Sequence, residues 1–166
     1  MDASLHFKNH ALNAVDAKGR VSVPASFRAQ LVARSQLVAG ENKLQIGLHP
    51  SGDYLNGQDS AADGEIEAML LESVSELPAI ERMTALERLR RDFNGATDEF
   101  KFDNTGRIML SPMMRDLAGI EEHAFFIGAG VTFQIWAPRK AMESLPEGSV
   151  LHRTLAYLLK DKGIAL

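Results

Sequence analysis

The sequence predicts an α+β protein built from two β-rich half-domains, each followed by helices. Three observations carry this. The string "DAKGRVSVPASFR" (residues 16–28) returns in close form as "DNTGRIMLSPMMR" (residues 103–115). Both copies keep an acid, a glycine three residues on, an arginine directly after it, and a second arginine twelve residues from the acid. Late in each half a run carrying "LQI" or "FQI" stands before a proline, and its offset of 89 residues nearly matches the 87 between the two turns. Self-similarity at a fixed spacing marks a repeat. Between and after the halves the apolar spacing becomes i, i+3, i+4, that of one helix face.

The elements follow in order. "NAVDAKGRVSVP" alternates and turns as a hairpin, with Gly19 supplying the positive φ and Val21 and Val23 starting the return strand. "ASFRAQLVA" is a short helix opened by Ser26 or by the Pro24–Ala25 step. "KLQIGLHP" is a strand ended by proline, and "SGDYLNGQDSAADG" has the Gly, Ser, Asp and Asn content of a loop. Residues 65–93 are helical, with Ile66, Met69, Leu70, Val74 and Leu77 on one face. Pro78 divides this stretch in two, because it lacks an amide proton and clashes with the preceding turn. The second of these helices ends in Arg88, Arg90 and Arg91, which complement its dipole. The first plan then restarts: strand, turn, strand and short helix over residues 93–120, two strands joined at Gly128–Gly130, and a helix start at "RKAMESL". The tail "SVLHRTLAYLLKDKGIAL" is an amphipathic helix.

Composition excludes several function classes. A chain of 166 residues with 45% apolar and 24% charged residues has the makeup of an ordinary globular protein. No run approaches the ~18 apolar residues of a membrane span, and "MDASLHFKNH" lacks a signal-peptide plan, so a cytoplasmic protein with no membrane partner is expected. The absence of cysteine removes disulfides, thiolate metal sites and cysteine nucleophiles. The net charge of −4 argues against nucleic acid, but it is unevenly spread. Residues 1–34 hold Lys8, Lys18, Arg20, Arg28 and Arg34 against Asp2 and Asp16, whereas residues 52–81 hold eight acids and no Lys or Arg.

Two readings of the repeated turn are open. Asp16 with Arg20, and Asp103 with Arg107, can simply lock a hairpin, where a surface ion pair contributes only ~0–1 kcal/mol. Alternatively each Asp orients a guanidinium, the group that reads guanine O6 and N7 by a bidentate contact, on a ribbon that fits the major groove. Two linked probes also gain avidity over one.

The two strings resemble the paired signatures of the MraZ proteins, bacterial transcriptional regulators built from two SpoVT-AbrB-type repeats. The likeness covers nearly the whole chain and includes Phe7 and Phe93 as openers, "GAT" at residues 95–97 and "FQIWAP" at residues 133–138. It implies a swapped-hairpin AbrB-type β-barrel with flanking helices. The repeats would occupy residues 1–52 and 93–145, with an acidic loop and helical connector at 53–92 and a C-terminal helix at 146–166. It implies a ring-shaped homo-oligomer on the nucleoid that binds double-stranded DNA at promoter repeats of the division and cell-wall gene cluster, with repression as the expected outcome. The DNA-contacting motif falls on Asp16 and Arg20, and on Asp103 and Arg107. Lys18, Arg28 and Arg115 are assigned to phosphates by position and charge. Thr105 replaces the lysine in the second copy, making it less basic, and Ser111 stands where the family has proline. The acidic stretch between the repeats is longer than the family pattern.

Other signals carry less. "GAG" at residues 128–130 lacks the third glycine and the helix of a dinucleotide site and is read as a hairpin turn. His6, His10, His49, His123 and His152 show no metal-ligand spacing. Met109, Met113 and Met114 are assigned to core or subunit contacts, and Trp136 to an interface or a buried strand. An arginine beside each Asp lowers its pKa and spoils an acid role. No enzyme activity and no cofactor are expected. The competing class is a protein-binding scaffold, suggested by the acidic middle and by the antitoxin-like modules of the same barrel lineage.

Overall fold

The computed structural model describes residues 1–166. The first hairpin is formed by β1 (His10–Ala14) and β2 (Arg20–Ser22), and it is followed by α1 (Ala25–Arg34) and β3 (Leu44–Leu48). A further strand, β4 (Leu55–Asp59), then precedes α2 (Asp63–Ser73) and α3 (Ala79–Asn94). The second half supplies β5 (Thr97–Phe100), β6 (Arg107–Met109), α4 (Pro112–Ala118), β7 (His123–Ala129) and β8 (Thr132–Trp136). Helices α5 (Pro138–Ser144) and α6 (Val150–Asp161) end the chain.

The strands form two sheets. Six run antiparallel in the order β1-β7-β8-β4-β3-β5, and β2 pairs only with β6. The chain is thus α+β, but the expected closed barrel does not form. β1 and β5 are free edges of the large sheet, and β2 forms no ladder with β1, meeting this segment through the isolated Val15–Val21 bridge and the Asn13 side chain, which donates to the Ser22 carbonyl. The reason is length: β2 and β6 have three residues each and spend their ladder bonds on one another.

β4 lies within residues that read as loop. Asn, Gly, Gln and Asp disfavour strands, so the propensity signal is poor. Burial decides instead: Leu55, Gly57 and Asp59 alternate inward while β4 pairs with both β3 and β8. Gly57 lies directly beneath the Phe133 ring.

Both faces of β7 and β8 are covered, which explains the unbroken apolar run "AFFI". On one face Phe126, Phe133 and Ile135 join Phe7 and Phe27 in the main core. On the other, Phe125, Ile127 and Trp136 meet Ala141, Leu155 and Leu159 from α5 and α6. Trp136 is therefore a buried strand residue, stacked on Tyr54 with ring centroids 4.6 Å apart.

The connector is two helices as expected, with Pro78 as the N-cap of α3, but α2 already ends at Ser73, so Val74 and Leu77 lie in the turn between them. The α2 face is only partly used: Leu70 and Val74 are buried, while Met69 is 60% exposed. No residue of α3 is buried, and Ile80 and Met83 face solvent. Arg90 of α3 pairs with Glu67 of α2. No helix is long and apolar enough to cross a membrane.

Candidate nucleic-acid interface

The two repeated turns adopt one geometry. In the first, the Asp16 carbonyl accepts from Gly19 N–H (2.9 Å), and Asp16 N–H donates to the Arg20 carbonyl (3.0 Å). The Asp16 carboxylate then caps the turn. Its Oδ1 accepts from the backbone N–H of Lys18 (3.0 Å) and Arg20 (2.9 Å), and its Oδ2 accepts from Arg20 Nε (2.7 Å). In the second, Asp103 Oδ1 accepts from Thr105 N–H (2.9 Å), the Thr105 hydroxyl (2.7 Å) and Arg107 N–H (3.0 Å). Its Oδ2 accepts from Arg107 Nε at 2.8 Å. Gly19 and Gly106 sit at φ +87° and +78°, the left-handed region that only glycine enters at no steric cost.

The carboxylates are held in the charged form. Asp16 lies below the usual range, chiefly through the Arg20 backbone N–H and then its side chain. Asp103 lies well below it, with the Arg107 backbone N–H first and the Thr105 hydroxyl next. A carboxyl held this low has no proton to donate at neutral pH, which removes it as a general acid. What each Asp does is aim its arginine. With Nε engaged, the two Nη nitrogens and their four N–H donors remain for an outside acceptor.

The ribbon brings the two arginines together. β2 and β6 pair with Arg20 opposite Met109, Val21 opposite Ile108 and Ser22 opposite Arg107. Val21 and Ile108 point into the core. Alternation therefore places Arg20, Ser22, Arg107 and Met109 on the outer face. The two arginines are diagonal neighbours, about 7–8 Å apart at the backbone. Their side chains are 38% and 35% exposed. Lys18 is exposed at the first tip, and Met109 is exposed directly opposite Arg20.

Arg28 and Arg115 are brought to the same region, each against the glycine of the other copy's turn: Arg28 at Gly106 and Arg115 at Gly19. Ser111 does the work of a helix cap, its hydroxyl accepting from Met114 N–H at 3.2 Å, with Pro112 in the first turn of α4. Met114 is buried, whereas Met109 and Met113 are exposed.

Arg34, counted from the sequence as part of the basic end, is fully buried and paired with buried Asp59 at 2.7 Å. It contributes nothing to the surface. The signal available was Asp59 itself, an acid at an inward position of a strand that composition concealed. A groove of 840 Å³ behind the first turn is lined by Asp116, Glu121 and Glu122 as well as Arg115. The side of the first turn that faces this groove is therefore acidic. No group of three His, Asp or Glu side chains is placed to hold a metal ion.

A protein-family model described as "MraZ protein, putative antitoxin-like" matches residues 93–142. The chain is 36% identical over 139 residues to a protein of Ruegeria pomeroyi, covering 80% of this chain and 77% of that one. It is 38% identical over 136 residues to one of Parvibaculum lavamentivorans, covering 80% and 76%. It is 33% identical over 163 residues to one of Beijerinckia indica, covering 96% and 90%. Each of the three is named "Transcriptional regulator MraZ".

Proposed function

Because the chain belongs to the MraZ family of transcriptional regulators, we propose that it binds duplex DNA in a sequence-specific manner through the β2–β6 ribbon. One observation carries this reading: Arg20 and Arg107 stand diagonally across the outer face of one ribbon, each with its Nε fixed by an aspartate and its Nη donors unused. A two-stranded ribbon of this width enters the major groove, where bidentate arginine selects guanine. Lys18 and the Nη ends of Arg28 and Arg115 hold phosphates and supply the salt-dependent part of affinity. Asp16 and Asp103 orient the readers and do not touch bases.

The two halves act as SpoVT-AbrB-type repeats, and the pairing of β2 with β6 supports a swapped arrangement of their hairpins. In the cell the protein acts on the nucleoid as a ring-shaped homo-oligomer, engaging promoter-proximal direct repeats of the division and cell-wall gene cluster. Occupancy there excludes polymerase and represses. Catalysis and cofactors play no part in this reading.

The test is a titration of the Arg20→Ala variant against promoter DNA. Loss of one bidentate contact weakens specific binding by ~1–3 kcal/mol and relaxes base preference at one position. Unchanged affinity and preference remove Arg20 from the interface.

A scaffold reading is favoured by one observation, the uncovered α3 with Ile80 and Met83 exposed. A scaffold of this kind elutes from heparin at low salt and captures protein in place of DNA.

A further inference from the structure

We propose that Arg28 and Arg115 are positioning residues that clamp the recognition turns across the repeats: Arg28 holds the turn that aims Arg107, and Arg115 holds the turn that aims Arg20. The proposal rests on the reading of Arg20 and Arg107 as base readers, and it assigns to the two downstream arginines a role that phosphate contact alone does not describe.

Each arginine is the fourth residue of its helix, α1 or α4, and follows a buried anchor, Phe27 or Met114. The anchor pins the first helical turn, and the next side chain is thrown across the ribbon to the opposite hairpin. A Cβ placed on Gly106 would lie 2.5 Å from Arg28 Cζ and 2.9 Å from its Nε. A Cβ placed on Gly19 would lie 2.8 Å from Arg115 Nε and 3.1 Å from its Cζ. At Gly106 the guanidinium occupies the space that any other residue would need, and at Gly19 it shares that space with the Leu110 carbonyl oxygen, 2.5 Å from the same point. The same contact recurs in both repeats with the roles of the copies exchanged.

Two further observations separate a clamp from a surface cation. The Nε atoms of Arg28 and Arg115 are both buried and have no hydrogen-bond partner. A side chain used only to meet phosphate has no reason to turn Nε inward. In addition, each glycine carbonyl is held by the same opposite repeat: Leu110 N–H donates to Gly19 O (2.9 Å), and Val23 N–H donates to Gly106 O (3.2 Å). Each left-handed glycine, one residue before its reader arginine, is thus held by backbone on its carbonyl and by a guanidinium at its Cα. A planar, weakly hydrated guanidinium suits packing on a peptide, whereas an ammonium of equal charge does not. Neither turn is complete without the other repeat, since each takes its guanidinium contact and a backbone donor from it.

The test uses Arg28→Lys and Arg115→Lys in the full chain, which keep the charge and remove the plane. In the free protein, amide exchange followed by NMR is expected to accelerate about tenfold at Gly106 and Arg107 in Arg28→Lys, with Gly19 and Arg20 unchanged. Arg115→Lys is expected to show the mirror pattern, and it serves as the independent test if Arg28→Lys fails to fold. On DNA, a double-mutant cycle is expected to find Arg28→Lys coupled to Arg107→Ala, its several-fold loss vanishing when Arg107 is absent, and additive with Arg20→Ala. Unchanged exchange, equal acceleration in both turns, or additivity with Arg107→Ala overturns the clamp. Failure of the wild-type protein to bind DNA defeats the DNA reading instead, and the exchange measurement still decides the clamp.

Discussion

Substituting Asp59→Asn tests whether the buried ion pair anchors the first helix. Arg34 is the last residue of α1, and its Nη2 lies 2.7 Å from Asp59 Oδ1 and donates to the Val131 carbonyl at 2.8 Å. The guanidinium also lies over the Phe7 ring, 4.4 Å from its centroid. Asp59 Oδ2 accepts from Asn42 Nδ2 at 2.7 Å, and Asn42 donates to the Leu31 carbonyl at 3.0 Å. Neither partner is accessible to water. The Asn variant keeps the shape of Asp59 and leaves the arginine charge buried without its counter-ion, a change that costs about 3–5 kcal/mol. For a chain of this size that lowers Tm by roughly 6–20 °C. Thermal unfolding followed by circular dichroism reads it. Replacing both partners, with Arg34→Met and Asp59→Leu, recovers part of the loss, since apolar residues pack in place of a buried pair. Recovery stays incomplete because the Val131 carbonyl loses its donor. An Asp59→Asn protein within ~0.5 kcal/mol of wild type refutes the reasoning, because that is the size of an ordinary surface effect.

Gly57→Ala drives a methyl into the Phe133 ring and destabilises by ~1–3 kcal/mol, read by urea denaturation; a neutral result contradicts the close approach of β4 to β8. Burial, opposed by Asp53, lowers the pKa of His49, which stacks on Tyr54 at 4.5 Å and meets the edge of Phe93. The folded state therefore favours neutral His49, and its contribution is complete above the ordinary value of 6.5 and lost as pH falls below it. The His49→Phe variant loses that part of the slope between pH 7.5 and 5; an unaltered slope counts against it. Asp103 titrates well below the ordinary 3.8, and Thr105→Ala raises it by removing the hydroxyl donor. The turn's stabilisation is correspondingly present above 3.8 and lost as pH falls through the lowered value, which carboxyl NMR follows. Titration at the ordinary value in the wild type contradicts the cap.

Local chemistry made much of this molecule legible. An Asp, a glycine and an arginine at fixed spacing dictate a capped turn, and both turns form with the same hydrogen bonds. Pro78 caps the start of the second connector helix, though the first stops at Ser73, ahead of it. Long-range pairing was not legible. β4 has one aliphatic residue and takes its place from Asp59 and Gly57, whose partners lie on α1 and β8. The ribbon that carries both Arg20 and Arg107 on one face joins strands 87 residues apart, and no local pattern specifies that register. For the same reason the barrel expected from family likeness differs from the sheet with two free edges. Charge counting included Arg34 in the basic end, because it is blind to a buried acid. The role of Arg28 and Arg115 is written in glycines of the opposite repeat, where neither helix alone reveals it.

The most direct measurement of the central claim is fluorescence anisotropy of the protein on DNA from upstream of its own gene and on a scrambled control, at several salt concentrations. The account predicts tight binding to the first alone, a steep salt dependence, and loss of the preference in the Arg20→Ala/Arg107→Ala double variant. Equal, weak binding to both DNAs, or a double variant that binds as the wild type does, contradicts it.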